Sequence, residues 1–312
     1  MPNTLTLGAS DLVMAPLGVG TWAWGDRIFW GYGNAYQQND IQAAFDASLA
    51  AGVSLFDTAE IYGPHTSERM LGALARSANR PVILASKFMP LPWRLSANSL
   101  RGALDGSLKR LGVSRIDLYQ IHWPSPILSI PSLMEALANA VAEGKIRYVG
   151  VSNYSAAQMR EAHAELAKRG VPLVSNQVEY SLLHRAPEKN GVLAACGELN
   201  VTLIAYSPLA MGLLTGKYDA GNIPSGARRY TPRFQRQNLQ AFAPVAELLR
   251  QIGLRYQKNP AQVALNWLIQ HGTLPIPGAK NQRQAQENAG ALGWDLSAED
   301  VAALDRATSA WI

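Results

Sequence analysis

A chain of 312 residues, 48% of them hydrophobic, has the size of one α/β barrel and is too apolar to be a disordered protein. It has no apolar run of the roughly 18–20 residues that span a bilayer, no basic-then-apolar leader in residues 1–7 and only one cysteine, Cys196, so a membrane protein, a secreted protein and an internal disulfide are not expected, and a reducing, cytoplasmic setting is. The net charge of +5 comes from scattered basic residues apart from a cluster at Arg228, Arg229, Arg233 and Arg236; no nucleic-acid reading motif accompanies it, which leaves a solvated basic loop or a loop beside an anionic cofactor.

In chain order, Leu5-Thr6-Leu7, the turn Gly8-Ala9-Ser10-Asp11 and Leu12-Val13-Met14 predict a β-hairpin. Eight strands follow, at residues 17–20, 53–57, 82–87, 116–122, 146–152, 173–177, 201–206 and 274–276. Helical period fills the gaps: Ile41, Ala44, Phe45, Ser48 and Leu49 share one face, as do Leu100, Ala103, Leu104, Leu108 and Leu111, and Ile130, Leu133, Met134, Leu137 and Val141. Ser155 with Gln158, and in a near variant Asn39 with Gln42, have capping-box spacing, and glycines 52, 112, 144 and 170 stand where helices end. Eight strand–helix units without a linker predict a single domain over 1–312: a (β/α)8 TIM barrel with an N-terminal β-hairpin and extra helices late in the chain, the last over 297–310. Segments 22–38 and 208–237 exceed a minimal connection, and loops of that length are usually functional.

Gly18-Val-Gly20-Thr-Trp-Ala23 matches a dinucleotide fingerprint, but that motif works only when a helix opens at once and turns its N–H groups to a pyrophosphate. Helical period resumes only near Asn39, so a Rossmann domain is rejected and these residues are placed at the barrel mouth.

Active sites of such barrels lie at the C-terminal ends of the strands. Asp57 ends the second strand, with Tyr62 in the loop beyond; Lys87 ends the third, His122 the fourth, Ser152 and Asn153 the fifth, Gln177 the sixth, Tyr206 and Ser207 the seventh, and Lys280 follows the eighth. Taken singly, Asp57 and Lys87 read as a structural ion pair, His122 as a core histidine and Tyr62 as a loop aromatic. Gathered at one face, four ionisable groups would carry a desolvation cost with no return unless they do chemistry. An ammonium such as Lys87 lowers a phenol's pKa, Asp57 would keep that ammonium charged, and His122 would hold or steer a substrate oxygen toward Tyr62. The set is a proton donor aimed at an oxygen on which charge develops, as carbonyl reduction requires. No nucleophilic Ser or Cys triad and no metal-ligand spacing competes with it.

From end to end the chain resembles the aldo-keto reductases. Phe56-Asp57-Thr58-Ala59-Glu60-Ile61-Tyr62-Gly63 resembles the family signature that carries its aspartate and tyrosine, Lys87 after Val82-Ile-Leu-Ala-Ser86 its lysine, and Gln120-Ile-His122-Trp-Pro124 its histidine motif. The resemblance implies a catalytic set of Asp57, Tyr62, Lys87 and His122 and a bound NADPH or NADP+. It places Gly20, Thr21, Trp22 and Asp57 near that cofactor, Ser152, Asn153 and Gln177 on its carboxamide, Tyr206 against the nicotinamide ring, and Ser207, Leu209 and Gly212 along the pyrophosphate. In Ile276-Pro-Gly-Ala-Lys280-Asn-Gln-Arg-Gln284-Ala-Gln-Glu287-Asn288 it implies that Glu287 and Asn288 read the adenine, that Lys280 and Arg283 neutralise the 2′-phosphate, and that Gln284 also contacts the cofactor. Gly278 and Gln284 replace the Lys and Arg of the mammalian-type pattern, a variant similar to the bacterial, plant and channel-subunit branches. The long C-terminal substrate loop of mammalian-type members is not expected here, so the substrate pocket is expected to rest on Trp22, Trp24, Trp30, Tyr32, Trp93 and Trp123, walls suited to carbonyl compounds with a planar or apolar part. A small-molecule carbonyl substrate, no membrane or nucleic-acid partner and, by default, a monomer are expected. The alternative reading is an NADPH-binding regulatory or redox-sensing module with slow turnover.

Overall fold

The computed structural model describes residues 4–224 and 226–311. Strands β1 (Leu5–Thr6) and β2 (Val13–Met14) form the antiparallel hairpin, with Leu5 opposite Met14 and Thr6 opposite Val13. The next eight strands are β3 (Gly18–Gly20), β4 (Leu55–Asp57), β5 (Ile83–Phe88), β6 (Ile116–Ile121), β7 (Ile146–Ser152), β8 (Leu173–Glu179), β9 (Thr202–Tyr206) and β10 (Leu274–Pro275). They pair in chain order and in parallel. The ring closes where the Gly20 N–H donates to the Pro277 carbonyl at 3.1 Å. This is the predicted (β/α)8 barrel.

Strand alternation sorts the core into two layers. Outward residues such as Phe56, Phe88, Tyr119 and Ile121 pack under the helices, while Leu55, Ala85, Leu118, Ile204 and Leu274 fill the barrel itself. Leu7, Leu12 and Met14 of the hairpin join that inner cluster, so the hairpin plugs the end of the barrel opposite the strand C-termini.

The helix signals were legible to different degrees. Ser155 Oγ accepts from the Gln158 N–H and Gln158 Oε1 from the Ser155 N–H, the reciprocal capping box. Helix Ala97–Leu111 ends at Gly112, whose φ of 68° lets its N–H reach the Leu108 carbonyl. The first helix, Gln38–Ala50, does not use the Asn39–Gln42 pair: the Asp40 carboxylate accepts from the Gln37 N–H at 2.8 Å, and Gln42 turns its amide to Asp46. A first-turn carboxylate also meets the positive end of the helix dipole, which favours Asp40 over a neutral amide for this task. The segment after β9 is not a featureless loop. It folds into short 3₁₀ turns at Ala210–Thr215, Gly226–Tyr230 and Pro232–Phe234 before helix Arg236–Tyr256 begins. Ser297 caps a last helix, Ala298–Ala307, shorter than the expected 297–310 because a 3₁₀ turn, Ser309–Trp311, replaces its final residues. No helix among the described residues is long and apolar enough to cross a membrane.

Candidate active site

Gly18–Gly20 is a strand, and turns rather than a helix follow it, so the glycine-rich motif has no Rossmann geometry. Its Gly20 instead borders a cavity of about 1500 Å³ at the C-terminal ends of the strands. Every residue that the sequence reading assigned to a dinucleotide lines this one cavity, from Gly20, Thr21 and Trp22 through Ser152, Asn153, Gln177 and Tyr206 to Lys280, Gln284, Glu287 and Asn288. Tyr62, His122 and Asp57 line it too, whereas Lys87 lies wholly buried behind them.

Register brings the ionisable groups together. Asp57 ends β4 beside β5, whose inward residue one step beyond its partner Ala85 is Lys87. Lys87 Nζ donates to Asp57 Oδ2 at 2.5 Å and to the Thr58 carbonyl at 2.8 Å. The same ammonium stands 5.1 Å from the centroid of the Tyr62 ring, and the His122 ring meets Tyr62 edge-on at 5.7 Å. The loop that carries Tyr62 is pinned from outside the barrel: Glu60 accepts from the Met89 N–H at 2.7 Å and from both terminal nitrogens of Arg94. A charged pair buried this deeply persists only with its partners in place.

Electrostatics assign different protonation to each group. Burial raises the Tyr62 phenol, the Lys87 charge lowers it and Asp57 raises it again, and the balance lies above the ordinary tyrosine value. The expected net lowering by Lys87 is therefore not met; burial and Asp57 outweigh it, and Tyr62 is a neutral phenol that keeps its proton at neutral pH. Burial alone would depress Lys87, but Asp57 and Tyr62 overcome that and hold it as an ammonium. His122 is pushed down to about 3 by burial and by the Lys87 charge, so its imidazole is neutral. An NMR titration of the histidine ring protons is expected to leave His122 unshifted across the ordinary histidine range near ~6.5; a His122 resonance moving with that midpoint would contradict the neutral assignment.

The residues expected to face the cofactor hold one another. Ser152 Oγ donates to the Gln177 carbonyl at 2.7 Å, Asn153 Nδ2 to the His122 carbonyl at 2.9 Å, and Tyr206 OH to Asn153 Oδ1 at 3.0 Å. Asn153, Ser207, Ala210 and Met211 are four of the seven described non-glycine residues with left-handed backbone. Such strain costs of order 1–3 kcal/mol per residue and gathers at functional sites. Lys217, Arg228 and Lys280 converge at the far end, where burial and then repulsion from Arg228 and Lys217 hold Lys280 down to about 8. Arg228 and Arg233 of the basic cluster reach the cavity; Arg229 and Arg236 do not line it. Arg233 pairs with Glu179 at the end of β8, which ties the segment after β9 across the opening.

The aromatic walls divide. Trp22, Trp30 and Trp123 line the cavity; Trp22 stacks on Phe29 at 5.1 Å, and Trp30 lies between Lys280 and Arg228, 5.3 and 5.1 Å from its ring. Trp24 is a core residue instead, fully buried, with Nε1 donating to the Ala279 carbonyl at 2.8 Å. Tyr32 packs edge-on against Tyr36 outside the cavity lining, and Trp93 is 72% exposed away from it. Aromatic content marks a wall-forming loop but not the direction in which each ring turns. The sequence reading also missed Gln120, an inward amide on β6 bonded to Asp57, and Lys217; the available signal for Gln120 was a polar residue at an inward strand position two before His122.

A parallel eight-stranded barrel with a neutral phenol backed by a buried aspartate–lysine pair, opening into a long cavity with a cationic end, defines a class of oxidoreductase. Residues 16–309 match the aldo/keto reductase family. The chain is 38% identical over 310 residues to a chloroplastic pyridoxal reductase of Arabidopsis thaliana, covering 95% of this chain and 84% of that protein. Its fold matches a glycerol dehydrogenase from Gluconobacter oxydans with a TM-score of 0.88 at 27% identity, over 100% of this chain and 97% of that one. It also matches an aldo-keto reductase from Klebsiella pneumoniae in complex with NADPH, with a TM-score of 0.77 at 30% identity over 98% and 95%. The chain belongs to the aldo/keto reductase family, whose general chemistry is carbonyl reduction.

Proposed function

We propose that this protein reduces aldehydes or ketones to alcohols with NADPH and that Tyr62 gives the proton to the carbonyl oxygen. The observation that carries the reading is the Tyr62 phenol at the cavity, with the Lys87 ammonium 5.1 Å from its ring and the buried Lys87–Asp57 pair behind it. A phosphorylated dinucleotide suits the rest of the cavity. The end lined by Lys217, Arg228 and Lys280 holds cations whose mutual repulsion an anion would relieve, and the amides of Gln177 and Asn153 line the same cavity as Tyr62 and suit a carboxamide.

When bound, NADPH supplies the hydride. The chain's own residues do the rest. His122, neutral, can donate one hydrogen bond to the carbonyl oxygen and orient it. Tyr62 offers its O–H to the same oxygen, and as charge develops there the Lys87 ammonium stabilises the phenolate left behind. Trp22 and Trp123 bound the substrate side and favour flat carbonyl compounds. The similar Arabidopsis protein is named a pyridoxal reductase, so pyridoxal, a planar aromatic aldehyde, belongs beside 4-nitrobenzaldehyde among the first substrates to try. The test is loss of NADPH absorbance on adding each aldehyde, with NADH in parallel. Turnover with NADPH supports the reading; tight NADPH binding without turnover on any aldehyde would replace it with a regulatory, cofactor-sensing role.

Lys280 makes NADPH affinity pH-dependent in a stated direction. Its pKa of about 8 in the free protein rises once a phosphate lies beside it, so binding takes up a proton above that value. Affinity is full below about 8 and falls as pH rises, about tenfold per unit at most. Fluorescence titrations at neutral and alkaline pH should show this loss for NADPH and not for NADH, and Lys280→Met should abolish the slope.

A further inference from the structure

On β6, Tyr119 and Ile121 point outward to the helices, while Leu118 and Gln120 point into the barrel. Gln120 is fully buried above an aliphatic interior, where an amide costs free energy unless its polar atoms are partnered. Its Nε2 donates to Asp57 Oδ1 at 3.1 Å, and its Oε1 accepts from Gln177 Nε2 at 3.3 Å. Gln177 Nε2 also donates to Asp57 Oδ1, at 2.9 Å. The two carboxylate oxygens are thus divided: Oδ2 faces Lys87, and Oδ1 receives two side-chain amides. Room for this crossing comes from β7. Gly150 is the register partner of Gln120, and a Cβ there would lie 2.9 Å from Gln120 Cγ and 2.4 Å from Ser175 Oγ.

We infer that Gln120 is a positioning residue for the proton donor: through Asp57 and Lys87 it sets the acidity of Tyr62. The inference rests on Tyr62 acting as proposed above. Amide N–H dipoles aimed at Oδ1 draw carboxylate charge away from Lys87 and from the phenol. Without Gln120 the charge concentrates at Oδ2, holds the ammonium more firmly to Asp57, and makes the field at Tyr62 more negative; the phenol becomes a weaker acid. The ionisable groups facing Tyr62 are Asp57 from β4, Lys87 from β5, the neutral His122 after β6 and Tyr206 from β9, with the Glu179–Arg233 pair beyond Tyr206. Gln120 is the β6 side chain that acts on this set through Asp57.

The test uses the full chain with tyrosine labelled with ¹³C at Cζ, the Tyr62 resonance being assigned by its loss in Tyr62→Phe. Gln120→Met removes the donor at similar length, and Gln120→Glu keeps the shape. In Gln120→Met the Tyr62 resonance at neutral pH should move upfield, toward an unpolarised phenol, and the onset of its ionisation should move up by about one unit, the scale of one hydrogen bond to a charged group. Steady-state kcat for aldehyde reduction should fall about tenfold at an unchanged KM for NADPH, one unit of acidity being worth at most a factor of ten. In Gln120→Glu the carboxyl can donate to Asp57 only while protonated, so the Tyr62 resonance and turnover should match the parent at low pH and depart from it along a new limb as pH rises. That second variant carries the test should Gln120→Met not fold. A Tyr62 resonance that follows the parent's pH course in either folded variant overturns the inference and leaves Gln120 a space-filling residue. Because the resonance is read without substrate, its result stands apart from the proposed function, whose own failure would be turnover retained in Tyr62→Phe.

Discussion

Tyr62→Phe is expected to lower kcat/KM for aldehyde reduction with NADPH by about 10²–10⁴-fold, the usual contribution of a positioned general acid, while NADPH affinity stays within about twofold. The substitution removes one oxygen and keeps the ring, so the contacts of Tyr62 with Trp22 and His122 survive. Lys87 keeps Asp57 and Thr58 as partners, which limits any structural cost. No other described O–H or N–H at that end of the cavity has the same backing. Tyr206 gives its hydroxyl to Asn153, and His122 is a neutral imidazole whose proton is far less readily given than that of an imidazolium. The measurement is initial rates over a range of aldehyde at saturating NADPH, with a fluorescence titration of the cofactor alongside. Equal rates in the two proteins would assign the proton to another donor.

Lys87→Met carries the largest expected loss of stability. Lys87 is fully buried and donates to Asp57 and Thr58, so its removal strands a carboxylate in the barrel with only the Gln120 and Gln177 amides. Breaking a buried pair on one side costs about 3–5 kcal/mol, a large share of the 5–15 kcal/mol that typically holds a protein folded. The deficit has a pH sign. A carboxylate left unpaired in a buried site is penalised for its charge, a cost that the protonated acid does not carry. The loss is therefore smaller at acid pH than at neutral pH. The double variant Asp57→Asn/Lys87→Met removes both charges and should regain much of the stability without regaining turnover. Urea denaturation of the four members of this cycle, each at acid and neutral pH, measures the coupling; additive losses at neutral pH would mean that the pair does not act as a unit.

Much of this molecule was legible along the chain. Strand period, helix period and glycine positions place all eight barrel strands to within a few residues, because each element has to bury one face and that face is written at fixed spacing. Residues at the strand ends were found as candidates by the same logic, since the barrel directs them all to one mouth. The errors share a different character. Trp24, Tyr32 and Trp93 carry no periodic pattern that tells a ring in the core from one at the rim. Trp24 is decided by a carbonyl 255 positions away, at Ala279. The segment after β9 was expected as a long polar loop, either solvated or beside an anionic cofactor, and the choice depends on Arg233 finding Glu179 and on Arg228 meeting Trp30.

What the amino-acid order determined by itself is the barrel, its N-terminal hairpin and the set of strand-end residues, for these follow from burial that neighbours in sequence enforce. Only the tertiary structure decided how those residues act. The Asp57 carboxylate is shared among β5, β6 and β8 through Lys87, Gln120 and Gln177, and Gln120 can reach it because β7 has no side chain at Gly150. Burial, which belongs to no single residue, outweighs Lys87 and keeps Tyr62 protonated. Proton affinity depends on distances and on exclusion of water among groups from separate strands, and neither quantity exists until the strands have closed into a ring.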